Sequence, residues 1–334
     1  MKRLVLTLLA ALCCLGASAQ FDARCIWEGG HCAFPSIEKF QGRYYVTFRQ
    51  GEGHIFDKQG RAAGRVRVLS SADGENWESV AVLAKEGFDL RDPKLSVTPD
   101  GRLMLVIGGS VYEGKTLVQR IPHVSFSTDG INFSDPVPAV FGDDIPYGME
   151  WLWRLTWHDG IGYAVIYGEK FALVRTVDGI HYETVTEIEA DGQPNETTLR
   201  FTRDGRMAMM IRREKDGHGR YGWWGVSEAP YKDWSFTPMG FGLGGPEFTI
   251  LDDDRVIMGT RSYFLDRKPK TILLKGGLDG VFEEMCVLPS GGDCSYPGFL
   301  IEGDELWVVY YSAHGLQPGS ASIYLTRIPL KFFD

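Results

Sequence analysis

The sequence predicts an all-β fold, a six-bladed β-propeller closed by its own N-terminal strand. Three observations carry that prediction. A two-strand hairpin unit recurs six times, a Ser/Thr-x-Asp-Gly turn follows several of the hairpins, and no stretch has the period of an amphipathic helix.

The hairpin units read CAFPSIEKFQGRYYVTFRQ, RDPKLSVTPDGRLMLVIGG, EWLWRLTWHDGIGYAVIYGE, ETTLRFTRDGRMAMMIRRE, PEFTILDDDRVIMGTRS and SYPGFLIEGDELWVVYYSAH. Their turns centre near Gly42, Gly101, Gly160, Gly205, Asp254 and Asp304, at steps of 45 to 59 residues. Each flanks a residue that tolerates positive φ with β-branched or apolar runs, which is hairpin chemistry. Repeats of this length, with several short strands apiece, fit propeller blades. The second motif reads SADGENW at 71 to 77, STDGINF at 127 to 133 and TVDGIHY at 176 to 182, with weaker copies SEAPYKDW at 227 to 234 and LDGVF at 278 to 282. Its Ser/Thr and Asp side chains suit capping of a tight turn, and its aromatic suits pinning that turn to its own blade. The last blade has three strands after Tyr296: Phe299 to Glu302, Leu306 to Tyr311 and Ser322 to Ile328. Ala23 to Trp27 is expected to supply the fourth, which closes the ring and removes two free edges.

Residues 1 to 19 read as a signal peptide: a basic start at Lys2 and Arg3, an apolar core from Leu4 to Leu15, and Ala17-Ser18-Ala19 as a cleavage site. Export to the periplasm or beyond, with cleavage after Ala19, is the expectation. Residues 20 to 334 show no linker and are expected to form one domain. Loss of Lys2 and Arg3 moves the formal charge from −9 to −11. An acidic chain with no basic run is a poor match for nucleic acid, and no later segment has a membrane-spanning length. Aromatics make up 13% of the chain, with nine Trp, which fits carbohydrate stacking as well as a β-rich core. The four cysteines outside the leader, Cys25, Cys32, Cys286 and Cys294, contain no CxxC pair, so no zinc site is expected, nor any other metal or cofactor. A monomer acting on a glycan is the expectation for partners.

The Ser/Thr-x-Asp-Gly-x-x-aromatic repeats resemble the Asp boxes of the sialidase (neuraminidase) superfamily, and the likeness of repeat pattern runs through the whole chain after the leader. The stretch ETTLRFTRDGRMAMMIR resembles the family unit that begins with Glu, crosses a D-G hairpin and ends with Arg. The resemblance implies that Glu196 activates a tyrosine nucleophile and that Arg212 binds a substrate carboxylate. By the same resemblance CSYPGF places the nucleophile at Tyr296, and the end of RVIMGTR places a second carboxylate binder at Arg261. The chemistry is coherent in itself. A phenol with a pKa near 10 needs a base to become a nucleophile, and a guanidinium grips a carboxylate bidentately. Such enzymes are an exception to the paired-carboxylate glycosidases.

The chain departs from the family in its first blade, where Ala33-Phe34-Pro35-Ser36-Ile37 stands in place of an Arg-Ile-Pro motif. The only R-I-P, Arg120 to Pro122, falls elsewhere and is set aside. Arg49, Arg91 or Arg154 is expected to make good the missing arginine, Arg49 first, and activity on simple sialosides is expected to be weak. Asp57 lies roughly where the family keeps its acid/base, with Glu52 and Asp92 as competitors. His54 shares the polar exit FRQGEGH with Arg49 and Glu52, and MEWLWR offers Glu150, Trp153 and Arg154 as substrate contacts. Three readings stand together: a sialidase-type hydrolase of a terminal acidic sugar, a non-catalytic glycan-binding propeller, and a hydrolase of another sugar using two carboxylates such as Asp92 and Glu247. A closed ring also brings the mouths of the first and last blades together, which predicts a Cys32–Cys294 disulfide, with Cys25 and Cys286 as the remaining pair.

Overall fold

The computed structural model describes residues 21–215, 220–262 and 268–334; the expected signal peptide lies outside them. Among these residues the strands form six sheets around an axis, as predicted. Blade 1 runs outward through His31–Phe40, Arg43–Gly51, Arg65–Ser71 and Glu78–Leu83. Blade 2 begins with Asp89–Val97 and Leu103–Glu113, blade 4 with Pro194–Phe201 and Met207–Arg213, and blade 5 with Glu247–Ile250 and Val256–Arg261. Blade 3 is the least regular, because its inner strand is broken into Trp151–Leu152 and Thr156–His158. Blade 6 comprises Cys294–Glu302, Glu305–Ser312, Ser322–Pro329 and, from the other end of the chain, Arg24–Trp27. Arg24 pairs with Leu325 and Cys25 with Tyr324, so the N-terminal strand closes the ring where the sequence placed it. No helix of the described residues is long and apolar enough to cross a membrane.

The core lies between blades. One cluster joins Phe40, Tyr45, Val66 and Val68 of blade 1 to Leu90, Leu103, Leu105 and Ile107 of blade 2. Another joins Ile257 and Leu273 of blade 5 to Leu306, Val308 and Tyr310 of blade 6. Each fully buried aliphatic contributes about 1.5–3 kcal/mol of burial, so adjacent blades hold one another in register.

The Asp-Gly turns add a second tie. In the first, the Ser71 hydroxyl accepts from the Gly74 N–H at 2.9 Å, while Asp73 Oδ1 accepts from Glu75 and Asn76, each at 2.8 Å. The Trp77 indole returns to the Gly74 carbonyl at 3.2 Å. The glycine does more than allow a φ of 71°. A Cβ at Gly74 would strike Trp307 of the preceding blade; at Gly130 it would strike Tyr45, and at Gly179 Met104. Each turn therefore presses its backbone against the blade before it. Gly130→Ala meets both a φ of 73° and the Tyr45 hydroxyl, and should cost about 2–4 kcal/mol in a denaturant-unfolding measurement.

The disulfide expectation is corrected: Cys25, Cys32, Cys286 and Cys294 are free thiols. The seam does bring the two mouths together, but through the preceding residues, with His31 Nε2 2.9 Å from Asp293 Oδ2. Successive side chains of a strand point to opposite faces, so Cys32 turns away and lies 3.3 Å from the Gly29 carbonyl oxygen. Burial pushes the Cys32 and Cys286 thiols up to about 12, which makes them unreactive.

Candidate active site

The site is built from the starts of the inner strands, and proline marks the place. Phe34-Pro35 in blade 1, Asp92-Pro93 in blade 2 and Tyr296-Pro297 in blade 6 share one backbone device. The residue before each proline has positive φ, 62°, 50° and 52°. The pairing register slips at the same points, between Ala33 and Ser36, Arg91 and Lys94, and Ser295 and Gly298. Proline brings no N–H to the ladder, so a bulge is the natural place for it, and a bulge re-aims the side chain it carries. Proline ordinarily holds the residue before it in an extended conformation. The bulge overrides that preference, at a strain of about 1–2 kcal/mol for each left-handed residue.

The three side chains converge with Glu196, which sits in the corresponding slip of blade 4 between Pro194 and Thr197. The Tyr296 hydroxyl donates to Glu196 Oε1 at 2.5 Å. Arg212 Nη1 donates to the same hydroxyl at 2.9 Å and to Glu196 Oε2 at 2.5 Å, and its other terminal nitrogen pairs with Glu214. The hairpin of residues 195 to 214 thus brings its acid and its base to one end, where both meet the tyrosine of another blade. The ring of Tyr296 lies flush on Gly245, 4.8 Å from the Phe34 centroid and 6.2 Å from that of Trp153. Burial, then the Glu196 charge, holds its hydroxyl well above the usual phenol range despite Arg212. The phenol therefore rests neutral, hydrogen-bonded to a base that can take its proton.

Asp92 is the second carboxyl of the site. Burial raises its pKa above the ordinary carboxylate value, against the pull of Arg91 and Lys94. It faces a cleft of about 410 Å³ whose walls include Arg91, Tyr112, Arg120, Trp151 and Tyr167. Arg91 Nε lies 3.3 Å from Asp92 Oδ2, and its guanidinium lies over the Phe34 ring at 5.1 Å. Arg261 lies over the Tyr296 ring at 5.8 Å. Guanidinium groups from two blades, Arg212 and Arg261, thus flank the tyrosine, and Arg91 stands over the residue following Ala33.

Other expected residues are engaged elsewhere. Arg49 is 1% exposed. Its Nε and Nη2 bind Asp89 Oδ1 at 3.0 and 2.8 Å, and its terminal nitrogens also donate to the carbonyls of Gly53 and Ile55. That is a structural post for the 51–64 loop, and it does not fill the arginine gap. Arg49→Ala leaves the buried Asp89 carboxylate with only Arg91, at 3.5 Å, and the Gly64 N–H, and should cost about 2–4 kcal/mol of stability by denaturant unfolding. Asp57 is committed to its own turn: it accepts from the N–H groups of Gln59 and Arg61 and pairs with Arg61 Nε at 2.8 Å. Those bonds, the Arg61 N–H first, lower its pKa, the wrong direction for an acid catalyst. Exposed Glu52 lines the same separate cavity as Asp57. His54 binds Asp293 at 2.6 Å. Glu150 caps the following loop by accepting from Glu169 and Lys170. Trp153 is 1% exposed and serves as packing beneath Tyr296, while Trp151 lines the cleft. Arg154 and Glu247 form an ion pair at 2.5 Å, with Arg200 2.6 Å from Glu247 on its other oxygen. They belong to a cavity of about 320 Å³ farther along the inner strands.

Sequence reasoning missed Lys94. It is buried, donates to the carbonyls of Phe34 and Pro93 at 3.2 and 3.3 Å, and lies over the Trp153 ring at 4.9 Å. Burial pushes its pKa down to about 7. Its signal was present, since it follows Asp92 by two positions on an inner strand. Arg120 was missed as part of the misplaced R-I-P.

No protein-family model matches the sequence, and no curated protein resembles it significantly. Solved structures do. A protein of unknown function from Dyadobacter fermentans superposes with a TM-score of 0.78 at 17% identity, over 93% of this chain and 98% of its own. A point mutant of the NanB sialidase of Streptococcus pneumoniae gives 0.70 at 9%, over 92% and 71%. The Penicillium chrysogenum α-L-arabinanase bound to arabinobiose gives 0.69 at 16%, over 92% and 98%. The fold is the six-bladed propeller of sialidases and arabinanases. At these identities the likeness is one of fold.

Proposed function

We propose that the chain is an exported glycoside hydrolase that removes a terminal acidic sugar, with Tyr296 as nucleophile, Glu196 as its base and Asp92 as acid/base. The observation that carries this reading is the 2.5 Å hydrogen bond from the Tyr296 hydroxyl to Glu196. In the first step Tyr296 Oη attacks the anomeric carbon while its proton passes to Glu196. Asp92 protonates the glycosidic oxygen as that bond breaks. In the second step water attacks the same carbon, gives its proton to Asp92 and releases Tyr296, which recovers its proton from Glu196. Two displacements at one carbon retain its configuration. A neutral phenol suits a substrate whose own carboxylate flanks the reacting carbon, because a carboxylate nucleophile would be repelled there.

Arg91, Arg212 and Arg261 supply the positive charge for that carboxylate, and Arg91 takes the part of the arginine missing at Ala33. The reading is tested by assaying aryl glycosides of acidic and neutral sugars side by side. Turnover of an acidic glycoside is expected, with Arg91→Ala raising KM by at least about tenfold through loss of a charged hydrogen bond. Turnover of neutral arabinosides alone would sink the tyrosine reading and favour two carboxylates.

A further inference from the structure

We propose that His31, His54 and Asp293 form a binding site for a divalent transition-metal ion of the zinc class, which staples the first blade to the last. Asp293 Oδ2 lies 2.9 Å from His31 Nε2 and 2.6 Å from His54 Nδ1. One ligand atom from each residue lies within 4.8 Å of the others. Two imidazoles and a carboxylate are the donor set that suits Zn²⁺, Co²⁺ or Ni²⁺ and not Mg²⁺ or Ca²⁺. The second oxygen of Asp293 accepts from the Tyr311 hydroxyl at 2.6 Å, which fixes the carboxylate as outer partners do in metal sites.

The geometry sets the affinity. Ligand atoms around tetrahedral zinc stand about 3.3 Å apart, so the metal must spread the present contacts by about half an ångström. His54 can supply that movement, because its side chain is 47% exposed. Metal on Nε2 of His31 moves its proton to Nδ1, which is buried without a partner. That penalty weakens binding relative to a site whose second ring nitrogen has a partner. The ligands come from the start of the first inner strand, from the loop after Arg43–Gly51 and from the residue before Cys294–Glu302. The separation in sequence is why the absence of CxxC spacing concealed them. Phe34 lies 5.3 Å from His54 and 4.8 Å from Tyr296, so the staple also steadies one wall of the active site.

The test uses chelator-stripped protein titrated with CoCl₂, read by visible ligand-field absorption, and then with ZnCl₂ in competition. One equivalent of Co²⁺ is expected to bind and to be displaced by Zn²⁺. His54→Ala, an exposed change that near-UV circular dichroism can check for folding, should weaken binding by at least about 100-fold. Zinc should raise the melting temperature of the unaltered protein by about 2–5 °C and leave that of His54→Ala unmoved. No Co²⁺ absorption, or equal binding by His54→Ala, would overturn the proposal. MgCl₂ and CaCl₂ serve as the negative arm, and binding of either at equal strength would also overturn it.

Discussion

Tyr296→Phe should lower kcat by at least about 10³-fold on the best acidic aryl glycoside, and Glu196→Gln should do the same. A 10³-fold loss corresponds to about 4 kcal/mol of transition-state stabilisation. The phenylalanine ring keeps every packing contact on Gly245, Phe34 and Trp153, so the loss in stability should be only that of the hydroxyl's bonds, about 1–2 kcal/mol. In Glu196→Gln the carboxylate charge is lost, but Arg212 keeps its pairing with Glu214, and about 1–3 kcal/mol is expected. The two variants together should be little worse than either alone, because nucleophile and base act in one event. Full activity in both single variants would remove the tyrosine–glutamate pair from the chemistry.

Asp92→Ala should produce the second large effect, and its size should depend on the leaving group. General acid catalysis contributes about 10²–10⁴-fold. For an alkyl or sugar aglycone the whole of that factor should be lost. An activated aryl aglycone leaves without a proton, so most of its bond-cleavage rate should survive. The sign of the pH dependence follows from the raised pKa of Asp92. The carboxyl must be protonated to act as the acid, so kcat/KM for poor leaving groups should fall as pH rises through that pKa. Its displacement upward extends activity toward neutral pH. A loss independent of leaving group would make Asp92 a positioning residue.

The fold was legible because it rests on local chemistry repeated six times. Hairpin turns and Asp-Gly turns can be read one at a time, and the count of strands left the last blade one short. That Glu196, Arg212, Arg261 and Tyr296 lie together was legible through resemblance, since a hairpin fixes which residues share an end. Asp57 against Asp92 was not decidable in sequence, because an acid in a loop looks the same whether it caps a turn or faces a cleft. Arg49 misled for a related reason. Its strand-end position suits substrate binding, but Asp89, 40 residues away, claims its guanidinium. The disulfide expectation failed by one residue of strand alternation, and the same alternation brought His31 to Asp293. The X-Pro pairs stand in the sequence as AFPSI, RDPKL and SYPGF, but nothing there marks them as bulges, because their shared left-handed backbone runs against the usual preference of a residue before proline.

The most direct test of the central claim is to trap the covalent intermediate. A fluorinated acidic glycosyl fluoride, which slows the second displacement, is incubated with the protein, which is then digested and mapped by mass spectrometry. One glycosyl unit is expected on the peptide containing Tyr296, attached to the tyrosine oxygen, and absent in Tyr296→Phe. A glycosyl unit carried instead by Asp92 or Glu196 would contradict the account.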